Sequence, residues 1–294
     1  MQRLRRVGLE TGALTDEELR YLDTRVVETV RPVLVARKLF PVFRLPHAGI
    51  KTWRGWKQTD MGEAVITMTG EMGARDRVEL DEFNVSVPVL SKDFRLHWRD
   101  IIASRNGGMP IDTMNAESAA RKVAELEDKL LLSGEHTGWR ALGIEGLCSA
   151  TGRNTTAGGD WSANALTYVA NAIGELIADG FYGPYYLVTR GSWYAQLLTL
   201  ISNTEKFLVD AVAELLGGGR ERILISDNLL ASDGGVDSGL VVQPGQENFE
   251  LGIAEDLTTF ELQNSDMNLD CKVYEVVSPR IKRPTSICEI TGLT

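Results

Sequence analysis

The chain has little of what usually announces chemistry. Its 294 residues include three cysteines and three histidines. Cys148, Cys271 and Cys288 are far apart and odd in number. They fit small buried thiols in a reducing cytoplasm better than a disulfide framework. His47, His97 and His136 have no metal-ligand spacing. No apolar run reaches membrane-spanning length, and the basic start, MQRLRR, is not followed by the apolar stretch of a signal peptide. G-x-S-x-G, H-E-x-x-H, C-x-x-C and both glycine-rich phosphate motifs are missing, as is any internal repeat. An excess of cations is missing too. The net charge is −10, which makes free nucleic acid an unexpected partner for the surface as a whole. No nucleophile–base pattern stands out, so the chain reads as a non-enzyme.

What is present is an ordinary globular mixture, 43% hydrophobic and 24% charged, with ample length for a core. After a basic arm comes LTDEELRYLDTRVVETVRP. Thr15 and Glu18 have capping-box spacing, Leu19, Leu22, Val26 and Val30 form one apolar stripe, and Pro32 ends the helix. Residues 47–89 change character. Alternation in AVITMTG and RVELDEFNVSVPV predicts an extended two-stranded ribbon with no core of its own, which leans on a neighbour.

The most eye-catching stretch is LSKDFRLHWRDIIASRNGGMPID. Phe94, Leu96 and Trp98 alternate with Asp93, Arg95, His97 and Arg99, the pattern of a strand with one dry face and one charged face. No carboxylate or nucleophile nearby in sequence orients His97, so the strand reads as wall rather than active site. A short helix then stops at Gly107-Gly108.

NAESAARKVAELEDKLLLSGE predicts the best helix, with Asn115 as N-cap and a stripe of Ala119, Val123, Leu126 and Leu130. Glu125, Glu127 and Asp128 interleave with Arg121, Lys122 and Lys129, as on a solvated face. Further helices are expected from Ser162 to Asp179, closed by Gly180, from near Ser192, and from Asn203 or Thr204 to the C-capping glycines Gly217 to Gly219. The remainder reads as short strands. Pattern alone thus predicts an α+β protein and no chemistry.

Five segments in order carry a resemblance. They are LTDEELRYLDTRVVE with LVARKLF; KDFRLHWRDIIASRNGGMPID; AARKVAELEDKLLLSGE with GIEGL and GRNTTAGGDW; GFYGPYYLVTRGSWYAQL; and PRIKRPTSICEITG. Together they resemble the encapsulins, the linocin-type shell proteins, over nearly the whole chain. The resemblance implies the Hong Kong 97-type phage capsid fold, with a peripheral domain, an axial domain, an extended loop and an N-terminal helix. The implied division is an arm and helix at 1–46, the loop at 47–89, a peripheral domain with a spine helix at 90–137, an axial domain at 138–260, and a C-terminal return to the peripheral domain at 261–294.

The implied function is a self-assembling icosahedral nanocompartment in the cytoplasm. It encloses cargo enzymes, ferritin-like or peroxidase, that carry a short C-terminal targeting peptide. Positions matching the family's peptide pocket are Leu19, Leu22, Val26 and Val30. Positions matching its five-fold pore loop are Ser202, Asn203, Thr204 and Glu205, where a ring of Glu205 favours cations. The charged strand's wet face is expected to pair with the next subunit. No cofactor is expected. Some shells of this family are associated with a flavin, which Trp98 and its neighbours do not establish here. The alternative is a tailed-virus major capsid protein of the same fold, for which the basic arm suits packaged nucleic acid.

Overall fold

The computed structural model describes residues 14–30, 34–58, 66, 68, 80–107, 113–134, 142–201, 204–231, 235, 237–262 and 268–294. The first helix, α1 (Asp16–Val30), begins as its sequence predicts. The Thr15 amide donates to Glu18 Oε2 at 2.8 Å, and the Glu18 amide donates to Thr15 Oγ1 at 3.3 Å. This reciprocal capping satisfies donors that the helix itself leaves free. Leu22, Val26 and Val30 face inward from one stripe.

The chain then supplies β1 (Val42–Arg44), the ribbon strands β2 (Thr52–Gln58) and β3 (Leu80–Ser86), and β4 (Val89–Leu96). The ribbon is antiparallel, from Thr52 opposite Ser86 to Gln58 opposite Leu80. The expected strand in AVITMTG falls largely outside the described residues. Trp98, expected on the strand, instead opens α2 (Trp98–Gly107). The strand ends where its partner does, at Leu96 opposite Leu269. Asn268 then caps the turn, its Oδ1 accepting from the Trp98 amide at 3.3 Å.

The spine helix α3 runs Met114–Leu132. Its cap is Thr113, not Asn115. The Thr113 carbonyl accepts the Glu117 amide at 2.8 Å, while its hydroxyl donates to the Glu117 side chain at 2.6 Å. That bond places Asn115 inside the first turn. At the other end Gly134 has φ +59° and lies against the following link, so that a Cβ there would sit 2.3 Å from the Gly146 amide nitrogen. Gly134→Ala is expected to cost at least about 1–2 kcal/mol from the left-handed backbone alone, read as a lowered thermal unfolding midpoint.

After β5 (Asn154–Ala157) comes α4 (Trp161–Ala178), capped by Asp160 Oδ1, which accepts from the Ala163 amide at 3.2 Å. Gly180 closes it at φ +84°. Next are β6 (Tyr186–Thr189), α5 (Gly191–Leu197), α6 (Leu208–Leu215), β7 (Ile223–Ile225), β8 (Gly239–Val242), the long hairpin β9 (Phe249–Leu262) and β10 (Leu269–Ile281), and β11 (Ile287–Thr291). The start of α6 lies four residues after Thr204, later than its sequence suggests. Residues on both sides of 202–203 are tied crosswise, Leu208 N–H to Thr199 O at 2.9 Å and Ile201 N–H to Lys206 O at 3.0 Å. These bonds hold Phe207 extended and delay the helix.

Two sheets organise the fold. One has the order β1-β9-β10-β4, the other β5-β11-β8-β6-β7. A core of α1, α3 and the first sheet includes Leu22, Val26, Leu130 and Val273. A second core joins α4, α6 and the second sheet through Trp161, Val212 and Ile290. The long strand β9 enters the first sheet at Phe249, and the final strand β11 lies within the second sheet, between β5 and β8.

Candidate functional site

Charges on the strand β4 are answered within the chain. Across the β4–β10 register Arg95 faces Asp270, and Asp93 faces Lys272. Arg95 makes a forked contact to Asp270 at 2.5 and 2.9 Å, and Lys272 reaches Asp93 at 3.4 Å. Asp93 and Arg95 thus have opposite charges directly across the rungs from β10, within the chain. The Arg95 hydrogen bonds hold Asp270 below the usual carboxylate range. His97 Nδ1 lies 3.2 Å from Asn268 Oδ1, an amide rather than a carboxylate.

The stripe on α1 is less open than a peptide pocket requires. Leu22, Val26 and Val30 are 0%, 0% and 4% exposed and pack into this chain's own core. Leu19 is half-buried at the edge of that core. The helix is fastened by Arg105, whose Nε and Nη2 donate to Glu18 at 3.0 and 2.9 Å, and by Asp23, which accepts the Thr259 amide at 3.0 Å. Three of the four residues thus shape the surface from beneath.

Of the expected pore loop, Thr204 and Glu205 are among the described residues. Thr204 N–H and Oγ1–H both donate to Ile201 O, at 3.1 and 2.9 Å. Thr204 and Glu205 are exposed. Ser202 and Asn203 lie outside the described residues. Leu198, Leu200 and Phe207 are exposed beside the turn, and Arg220 makes a forked contact to Asp210 at 2.6 and 2.8 Å. The structure therefore gathers apolar and charged groups at one end of the second sheet's domain.

The ribbon is anchored at its base. Trp53 stacks on Phe43 with ring centroids 5.4 Å apart, and the Arg280 guanidinium lies 3.9 Å from its ring centroid. Gly252 makes room, since a Cβ there would be 2.6 Å from the Trp53 ring. The Arg280 guanidinium also donates to Arg54 O at 3.0 Å, and the Ser278 hydroxyl to Ser86 O at 2.8 Å. Further out, Trp56 is exposed. A large apolar side chain displayed on a two-stranded ribbon is available to a neighbour.

A buried polar seam lies where the sequence pattern suggests a solvated helix face. Glu127 and Asp128 do not lie on a solvated face; both are fully buried. Arg37 Nε donates to Glu127 Oε1 at 2.7 Å, and Nη2 donates to Glu127 Oε2 at 3.0 Å and to Glu275 Oε2 at 3.1 Å. Asp128 accepts from the Ala36 amide at 2.6 Å and the Ser226 hydroxyl at 2.5 Å. Burial raises the pKa of Glu127, Asp128 and Glu275, most strongly for Glu275, where the field of Glu127 adds to it. A signal was present: Glu127 falls four residues after Val123 and three before Leu130, on the apolar stripe itself. Glu125 is the member that behaves as expected, accepting from Lys122 at 2.6 Å.

Comparison with known proteins accounts for this architecture. A family profile described as "Encapsulating protein for peroxidase" matches residues 9–278. The type 1 encapsulin shell protein EncA of Myxococcus xanthus is 31% identical over 289 residues, covering 97% of this chain and 96% of that protein. A diheme-cytochrome-encapsulin shell fusion protein of Kuenenia stuttgartiensis is 28% identical, covering 94% of this chain and 73% of that protein.

Among solved structures, a virus-like particle from Pyrococcus furiosus matches with a TM-score of 0.69 at 21% identity, over 94% of this chain and 98% of that one. The capsid of Myoviridae phage XM1 matches with a TM-score of 0.66 at 14% identity, over 89% and 92%. The structural matches establish the capsid fold that the sequence resemblance implied. The sequence matches separate the shell family from the viral alternative. The chain belongs to the encapsulin family of shell proteins.

Proposed function

We propose that this chain assembles into a closed icosahedral compartment that encloses cargo proteins in the cytoplasm. The observation that carries this reading is the family match across residues 9–278 on a chain with the capsid fold. A ribbon with an exposed Trp56 and an end bearing exposed Leu198, Leu200 and Phe207 offer surfaces for heterologous contacts. Such contacts close into a shell when the symmetry permits. No helix among the described residues is long and apolar enough to cross a membrane.

Cargo of the peroxidase type is the favoured content, following the family description, with ferritin-like cargo a second expectation carried by the sequence resemblance alone. We place its targeting peptide beside α1, with Leu19 in contact and Leu22, Val26 and Val30 supporting the groove from below. Short apolar contacts repeated around a shell gain avidity from multivalency. Electron microscopy with nucleic-acid absorbance on protein expressed alone tests the shell reading. Empty closed particles support it, whereas soluble monomers or particles that enclose nucleic acid overturn it.

The turn bearing Thr204 and Glu205, together with Ser202 and Asn203, is proposed to line a pore. Glu205→Lys reverses the sign of a ring of charges. Entry of a luminescent lanthanide cation into intact particles is expected to slow by about tenfold. An unchanged entry rate removes Glu205 from the pathway.

A further inference from the structure

The buried seam holds two fully buried carboxyl groups against one cation. Arg37 gives Nε and part of Nη2 to Glu127, and Nη1 to Asp256 at 3.1 Å. Glu275 receives only the shared Nη2 hydrogen bond at 3.1 Å, and its Oε1 is buried without a donor among the described residues. An ionised Glu275 would keep a bare oxygen in a poorly solvating interior, beside a second carboxylate. A protonated carboxyl supplies the missing donor, because Glu127 Oε2 and Glu275 Oε2 crowd around the same Arg37 Nη2, at 3.0 and 3.1 Å. One proton then leaves a single negative charge opposite Arg37, with Oε2 of each residue still accepting from Nη2.

We propose that the Glu127–Glu275 pair shares one proton in the native state, and that this proton pins together the Ala36–Lys38 turn, α3 and β10. Asp128, equally buried, also joins α3 to the turn through the Ala36 amide at 2.6 Å, whereas the Arg37 cluster ties all three segments at once. The groups that bear on the pair are Arg37 from the turn, Asp128 from α3 and Asp256 from β9. On β4 the residue opposite Glu275 is Leu90, which is apolar and buried. Burial comes first among the causes that raise Glu275, followed by the charge of Glu127; Arg37 opposes them.

The sign follows from linkage. A Glu275 carboxyl held well above its ordinary value of 4.5 binds a proton in the native state that the unfolded chain has already lost. Stability is therefore greatest at and below that ordinary value and is lost as pH rises to the native pKa. The folding equilibrium weakens about tenfold per pH unit across that window and levels off above it.

The test uses full-length assembled protein. Glu275→Gln keeps an acceptor for Arg37 and a donor for Glu127 but has no proton to lose. Thermal unfolding from about pH 5 to about pH 8 is expected to show a fall in wild type that is shallower in Glu275→Gln by one proton's worth of slope. Asp128 is present in both proteins and contributes to both curves. Infrared spectra at neutral pH are expected to show a protonated-carboxyl carbonyl band in wild type that is reduced in the variant. Equal slopes, or spectra with no such difference, overturn the proposal. Glu127→Gln removes charge from the same pair and serves if the first variant does not fold. The same flattening is expected, and an unchanged slope overturns the proposal. A merely structural contact would shift stability equally at every pH.

Discussion

Replacing Arg37 with methionine is expected to destabilise the subunit by about 3–5 kcal/mol and to reduce the yield of assembled particles sharply. The guanidinium touches Glu127, Glu275 and Asp256, and the first two are 0% and 1% exposed. Removing the shared cation leaves buried carboxyls with no opposite charge, the costly way to break an internal ion pair. Domain stabilities are about 5–15 kcal/mol, so one such change consumes a large fraction.

The penalty also has a pH signature. Without Arg37 both carboxyls are pushed further up, so the native state holds extra protons over a wider window. The variant is expected to be closest to wild type in mild acid and to lose ground as pH rises. Chemical unfolding at several pH values measures this. Combining Arg37→Met with Glu127→Gln and Glu275→Gln is expected to recover most of the loss, since no charge is then stranded. A triple variant as unstable as the single one assigns the loss to packing of the Arg37 stem instead.

The second large effect separates support from contact on α1. Leu22 is fully buried. Leu22→Asp is expected to cost about 2–5 kcal/mol for lost packing, with a further ~1–3 kcal/mol for a polar group left without partners. Particles are expected to be absent, whatever the cargo. Leu19→Asp lies at the edge of the same core, and its particles are expected to form while cargo carrying the targeting peptide stays outside. Co-expression followed by size exclusion and gel analysis distinguishes the two. Normal loading in intact Leu19→Asp shells places the peptide elsewhere. Intact shells from Leu22→Asp show that the stripe is not core.

Much of α1 was legible because its determinants are local. Thr15 and Glu18 are three residues apart, and the stripe Leu22, Val26, Val30 repeats at helical spacing. The stops at Gly107, Gly180 and Gly217 were legible for the same reason, as was the ribbon strand Leu80–Ser86, but its partner Thr52–Gln58 was not among the runs expected to alternate. The resemblance to a shell family supplied the capsid fold, which periodicity alone did not. The candidate pocket was legible only as a stripe, because spacing reports that residues share a face and not what covers that face.

The sequence by itself determined where most helices begin and end, which strands alternate, and that no familiar catalytic or metal motif is written into the chain. Tertiary structure decided everything that depends on a partner far away. Asn268 caps the turn at Trp98 from 170 residues on. Asp270 and Lys272 claim the charges of β4, and the bonds across residues 199–208 delay α6. Arg37 brings Glu127 and Glu275 into the interior from 90 and 238 residues away. Local spacing reports the backbone's preferences within a turn or a strand pair. The fate of a charge depends on whether burial is answered by a hydrogen-bonding partner, and only the folded chain brings that partner into reach.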